Sequence, residues 1–226
     1  MNCIGLNFCI FALLKNNALN EKKEMLSNYL PENSVDMVIE LLDKYPCSLK
    51  IVNNRKTKHG DFRIMHDGAY QITINYGLNA NRFLLTLIHE IAHLVTYKKH
   101  KRVKPHGIEW KRNFQHLMLP FFNPEIIPND LMPILANYLK NPKASTDADI
   151  NLSLALKKYD KVNGKQIVLD LPLNAEFMHN NRLFVKGKKR RTRIECIEIL
   201  TDKKYLFHQN AEVDFVKNNL INNVKN

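Results

Sequence analysis

Apolar positions along this chain follow two rhythms, and the place where one replaces the other divides it. Val35, Val38, Ile39, Leu41 and Leu42 recur at three and four residues, which predicts a helix capped at Ser34 and running to about Lys44. Shorter runs at Ser48–Val52, Phe62–Met65 and Gln71–Asn75 predict strands, the last two joined through the turn signal His66-Asp67-Gly68-Ala69. The densest apolar block lies between about Asn81 and Tyr97, with Leu84, Leu85, Leu87, Ile88, Ile91, Ala92, Leu94 and Val95 spread around the whole circumference of a helix. A helix that is apolar all round is buried. Ile108-Glu109-Trp110 opens a further helical pattern to about Leu119; Pro120, Pro124 and Pro128 break the chain after it, and Leu131–Lys140 reads as another short helix. From Asn141 to Gly164 the composition turns polar and reads as linker. Beyond Gly164 short runs at 166–169, 176–178, 182–185, 192–199 and 204–207 predict a small antiparallel β-rich module. The organisation expected is an N-terminal extension over 1–33, an α+β domain over 34–140, a linker over 141–164, the β module over 165–217 and a frayed tail over 218–226.

Inside the densest apolar block sits His89-Glu90-Ile91-Ala92-His93, an H-E-x-x-H motif. Histidines four apart lie one helical turn above each other, so both imidazoles can reach one Zn²⁺. Glu90 projects about 100° away from that line by the helical period. It can stand beside a metal without binding it and take a proton from the water there. In a buried helix, two histidines and a glutamate are costly unless something satisfies them.

A catalytic zinc usually has three protein ligands and a water. His100, His106, Glu109 and His116 follow the motif. His100 lies among Lys98, Lys99, Lys101 and Arg102, whose field opposes a cation, and it lacks the glycine turn of the metzincin spacing. His116 falls ten residues into the second helix. His106 is better placed: Pro105 and Gly107 punctuate a chain return and a helix start that would aim it back at the first helix.

Leu87 to Val95, followed by His106-Gly107-Ile108-Glu109-Trp110, resembles the SprT-like zinc metallopeptidases, the group of bacterial SprT and eukaryotic Spartan. Thr57–Arg63 and Ile72–Asn75 resemble its strand segments, and the likeness spans roughly residues 34 to 140. It implies a zincin-like catalytic domain with a small antiparallel sheet, an H-E-x-x-H helix and a third-ligand helix. It also implies Zn²⁺ on His89, His93 and His106, Glu90 as catalytic base, and Trp110 as the residue that anchors the third-ligand helix. Many members carry a ribbon of paired cysteines after this domain. Here Cys3, Cys9, Cys47 and Cys196 are scattered with no C-x-x-C, so a second zinc site is not expected.

A length of 226 residues with 45% hydrophobic and 25% charged residues describes an ordinary globular chain. Four scattered cysteines favour a reducing compartment, and the cytoplasm is expected. The apolar stretch from Cys3 to Leu14 is too short to span a bilayer and lacks a basic leader, so it reads as an N-terminal extension and no membrane contact is expected. The net charge of +12 adds an anionic partner to the picture. Lys98, Lys99, Lys101, Arg102 and Lys104 fill the link between the second and third ligands. Lys186, Lys188, Lys189, Arg190, Arg191 and Arg193 form a second run. Both are candidate DNA contacts. The expected function is a zinc endopeptidase acting on DNA-associated or DNA-crosslinked protein. The alternatives are a non-proteolytic nucleic-acid-binding protein stapled by zinc, and a small-substrate metallohydrolase, which the basic clusters disfavour. Tyr76 and Tyr97 are candidates by type alone for stabilising an oxyanion.

Overall fold

The computed structural model describes residues 19–55, 57–100, 102–161 and 164–218. Lys56 and Lys101, the apolar stretch up to Leu14, Cys3 and Cys9, and the expected tail beyond Asn218 lie outside the described residues. The chain divides into two units, Met1–Asp160 and Lys161–Asn226.

In the first unit a helix over 19–27 (α1) is followed by a 3-10 turn at Glu32–Ser34 and by α2, Val35–Lys44. Ser34 stands at the expected cap position, yet its hydroxyl bonds back to the Pro31 carbonyl at 2.6 Å and makes no cap bond. Leu26 and Leu30, expected in an undefined extension, are core residues. Strands β1 (Ser48–Val52), β2 (Gly60–Ile64) and β3 (Tyr70–Asn75) form a sheet in the order β1-β3-β2. The expected antiparallel sheet is mixed: β2 pairs with β3 antiparallel, but β1 pairs with β3 parallel. The segment between β1 and β2 carries the chain across one strand width, and β3 then returns into the gap. Arg55 fixes this crossing by bonding Asn75 Oδ1 and Thr73 Oγ1, while Asn75 Nδ2 donates to the Arg55 and Lys58 carbonyls. β2 is therefore an edge strand.

Helix α3, Ala80–Lys99, packs against β2 and β3. Asn79 caps it through a bond from the Arg82 amide. Every residue from Asn81 to Thr96 is buried except His89 and His93. The apolar circumference thus keeps this helix at the centre of the unit, and each fully buried leucine on it contributes about 1.5–3 kcal/mol. α4 (Ile108–Met118) lies on α3, and α5 (Met132–Lys140) follows the proline-rich turn. Residues 141–164 depart from the linker expectation. They contain a 3-10 turn at Thr146–Ala148 and helix α6, Ile150–Lys157, whose Leu152, Ala155 and Leu156 enter the same core. Asp149 caps α6 through the Leu152 amide. The polar residues read as linker are caps and ion-pair partners of a helix too short to show a full period.

The second unit is an all-antiparallel six-stranded sheet in the order β4-β9-β5-β6-β7-β8. Its strands are β4 (Gln166–Ile167), β5 (Ala175–His179), β6 (Arg182–Arg190), β7 (Arg193–Glu198), β8 (Lys204–His208) and β9 (Glu212–Asn218). Phe177, Phe184, Ile194, Cys196 and Val213 form its core. β9 was not expected; it returns between β4 and β5, so the sheet is more than a meander. Among the described residues no helix is long and apolar enough to cross a membrane.

Candidate metal centre

His89 and His93 open toward one another's partner because they are one turn apart on α3, at the only two openings in its buried length. The third histidine arrives by a turn. The Gly107 amide bonds the Lys104 carbonyl at 2.9 Å, and His106 adopts a left-handed φ of 56° before α4 begins. A non-glycine residue held in that region carries about 1–2 kcal/mol of strain and points to a functional constraint. A Cβ on Gly107 would meet the Lys104 carbonyl at 2.8 Å, so the turn depends on glycine there. Trp110, fully buried, locks the arrangement: its ring centroid lies 4.5 Å from that of His89 and 4.8 Å from that of His106, and its Nε1 donates to the His89 carbonyl at 3.4 Å.

The result is a triangle of Nε2 atoms: His89 to His106 3.1 Å, His89 to His93 3.2 Å, and His93 to His106 3.0 Å. Each such nitrogen offers one hydrogen or one lone pair, so three facing one another cannot all be satisfied by mutual hydrogen bonds. A cation shared among them satisfies all three, and nitrogens this close can share an ion at about 2.0–2.1 Å. Burial pushes all three rings toward the neutral, ligating form, His93 down to about 4. Among the described residues this is the one group of histidine, cysteine and carboxylate side chains close enough to hold a metal ion. His100, the C-cap of α3, and His116 are exposed and stay apart from it.

Glu90 is 7% exposed. Burial, aided by the neighbouring Asp61 charge, raises its carboxyl to about 8, against a bond from the Phe62 amide. Sequence reasoning missed what makes its place possible. A Cβ on Gly60 would fall 2.7 Å from Glu90 Oε1 and 2.7 Å from Thr86 Cγ2. A glycine opening a strand is the signal of such a close approach. A pocket of about 220 Å³ adjoins the centre; His59, Gly60, His89, Glu90, Phe114 and Asp147 are in its wall. Tyr76 and Tyr97 are not. Tyr76 is exposed, and Tyr97 packs with Phe62 and Tyr70.

Lys98, Lys99, Arg102 and Lys104 are exposed at the end of α3 and along the return to His106; Lys101 lies outside the described residues. In the second unit Lys188, Lys189, Arg191 and Arg193 are exposed around the β6–β7 hairpin, and Arg190 pairs with Glu195 at 2.7 Å. Lys186 turns inward instead: it is 8% exposed, and its ammonium donates to the Leu169 and Leu171 carbonyls. It belongs to the core of that unit.

Residues 39–127 match the SprT-like family, a span that runs from α2 to just before α5 and contains all three histidines, Glu90 and Gly60. No solved structure matches the chain.

Proposed function

We propose, from the SprT-like segment at residues 39–127 and the three imidazoles it brings together, that this protein is a zinc-dependent endopeptidase acting on proteins bound or crosslinked to DNA. His89, His93 and His106 would hold the ion; an all-nitrogen set of three leaves room for a water and suits Zn²⁺. When bound, zinc supplies a water acidified toward neutrality and polarises a carbonyl. The observation that carries the reading is Glu90. A zinc that only staples a fold has no use for a buried carboxylate next to its ligands. A buried carboxylate held beside the ligands can accept a proton from an attacking water and pass it to the departing amine. The space at Gly60 admits that carboxylate, and the Phe62 amide favours its charged form. The same amide belongs to the edge strand β2, whose outer side suits an extended peptide laid alongside it.

The DNA part of the proposal is supported by charge. The net charge is +12, and four exposed cations lie between the second and third histidines in sequence, with a second cluster on the β6–β7 hairpin. Bound DNA would hold its proteins near the cleft at high local concentration, so cleavage would follow co-localisation more than sequence. The test is proteolysis of a DNA-bound protein, with and without DNA, by wild type and Glu90→Gln. We expect DNA to stimulate the wild type, high salt to abolish the stimulation, and Glu90→Gln to keep metal and fold while losing cleavage. Undiminished cleavage by Glu90→Gln would remove the base. Equal rates on free and DNA-bound substrate at every salt concentration would remove the DNA tether.

A further inference from the structure

One ring in the wall of the pocket takes no part in the imidazole triangle. His59 immediately precedes Gly60, and its Nε2 lies 2.7 Å from Asp147 Oδ2. Asp147 is itself fixed: its Oδ1 accepts from Arg82 Nη1 at 2.7 Å and from Ser153 Oγ at 3.0 Å. Arg82 is buried on α3, two turns before His89, and its Nη2 also donates to the Ser153 carbonyl at 3.2 Å. The chain of contacts runs from the metal helix through a carboxylate to an imidazole on the pocket wall. Among the described residues His59 Nδ1 makes no hydrogen bond. The neighbouring polar side chains have structural partners: Lys58 bonds Asp61, Thr86 bonds the Arg82 carbonyl, Ser145 caps Ala148, and Thr146 accepts from Arg82.

An imidazole backed by a carboxylate is held in one orientation, and the carboxylate stabilises the ring's charge when the other nitrogen is protonated. Both nitrogens then donate. We propose that His59, oriented by Asp147, donates from Nδ1 to the carbonyl oxygen of the scissile peptide as negative charge gathers there. The inference rests on the peptidase reading above. His59 would be the catalytic donor and Asp147 a positioning residue; Asp147 lies outside the SprT-like span, in the turn before α6.

The experiment uses the full chain loaded with zinc, a fluorogenic peptide, and two probes. One is a phosphinic peptide, tetrahedral at the reacting position; the other is a planar hydroxamate of the same sequence. For His59→Ala we expect kcat to fall about 10²-fold with KM nearly constant, the loss typical of one such donor. Calorimetry should show phosphinic affinity falling by a similar factor, with hydroxamate affinity and zinc content unchanged. His59→Gln retains an N–H and should recover part of the loss, and it stands in if the alanine variant does not fold. Asp147→Asn should weaken phosphinic binding more than hydroxamate binding. Unchanged kcat and phosphinic affinity in both His59 variants would overturn the inference while leaving the peptidase. Equal loss toward both probes, or loss of zinc, would overturn it by making His59 merely structural. A wild type that cleaves no peptide and binds the phosphinic probe no better than His59→Ala does would overturn both readings.

Discussion

A hydrogen in place of a methyl group at residue 60 makes room for the Glu90 carboxylate. The added carbon of Gly60→Ala would meet Glu90 and Thr86 below 3 Å, one on the proposed base and the other on the helix that carries it. Displacing a reacting group by about 1 Å can cost on the order of 10²-fold in rate. On the peptidase reading, Gly60→Ala should therefore lose about that much activity while keeping its metal, a split read by metal analysis beside a peptidase assay. The histidines divide the other way. Alanine at His89, His93 or His106 should strip the metal and activity together, and alanine at His100 should leave the metal content unchanged. His89, Glu90 and His93 were legible in the sequence because helical spacing is a fixed geometry. His106 was legible through Pro105 and Gly107. Gly60 and His59 were not, because their importance arises from side chains brought near from elsewhere in the chain.

At the scale of elements, the turn at Thr146–Ala148 is tied to α3 by Asp147, which bonds Arg82 on the helix and His59 ahead of β2. Burial alone would raise this carboxyl; the His59 bond and the Arg82 charge outweigh it and hold the group well below the usual carboxylate range. A depressed carboxyl contributes stability that is full above its unfolded value near 4 and is lost as pH falls through the folded one. Asp147→Asn should thus lower the melting temperature at pH 7, and the gap from wild type should narrow as pH drops below about 4. Thermal unfolding at several pH values checks this. The same segment shows where sequence patterning stops. α2, α3 and α4 each run ten residues or more, with spaced apolar residues along them. α6 has eight residues, capped by Asp149 and preceded by polar positions whose partners are distant in sequence. The mixed sheet was hidden for a related reason, since strand direction is set by the crossing at Arg55 and not by the apolar pattern of β1 or β3.

At the scale of the molecule, the positive charge divides between two units. If both serve DNA, reversing Lys98, Lys99, Arg102 and Lys104 to Glu, or Lys188, Lys189, Arg191 and Arg193 to Glu, should each weaken binding across all sequences and flatten its salt dependence. Metal content should stay constant in both sets. Binding unchanged by either set, measured at low and high salt, would exclude those clusters as the DNA contact. The molecule must also live among copies of itself, and there the edge strand β2 has another consequence. A strand side proposed to receive a peptide is equally able to meet β2 of a neighbour, the first step of a growing ribbon. Lys58, Asp61 and Arg63 occupy that edge and neutralise one another locally, with Asp61 bonded to both cations. A visiting chain can slide past them, but two like edges meeting face to face would have to strip water from both sets of ions. Replacing Asp61 and Arg63 together with valine should remove that guard and appear as rising light scattering at a concentration where the wild type stays clear.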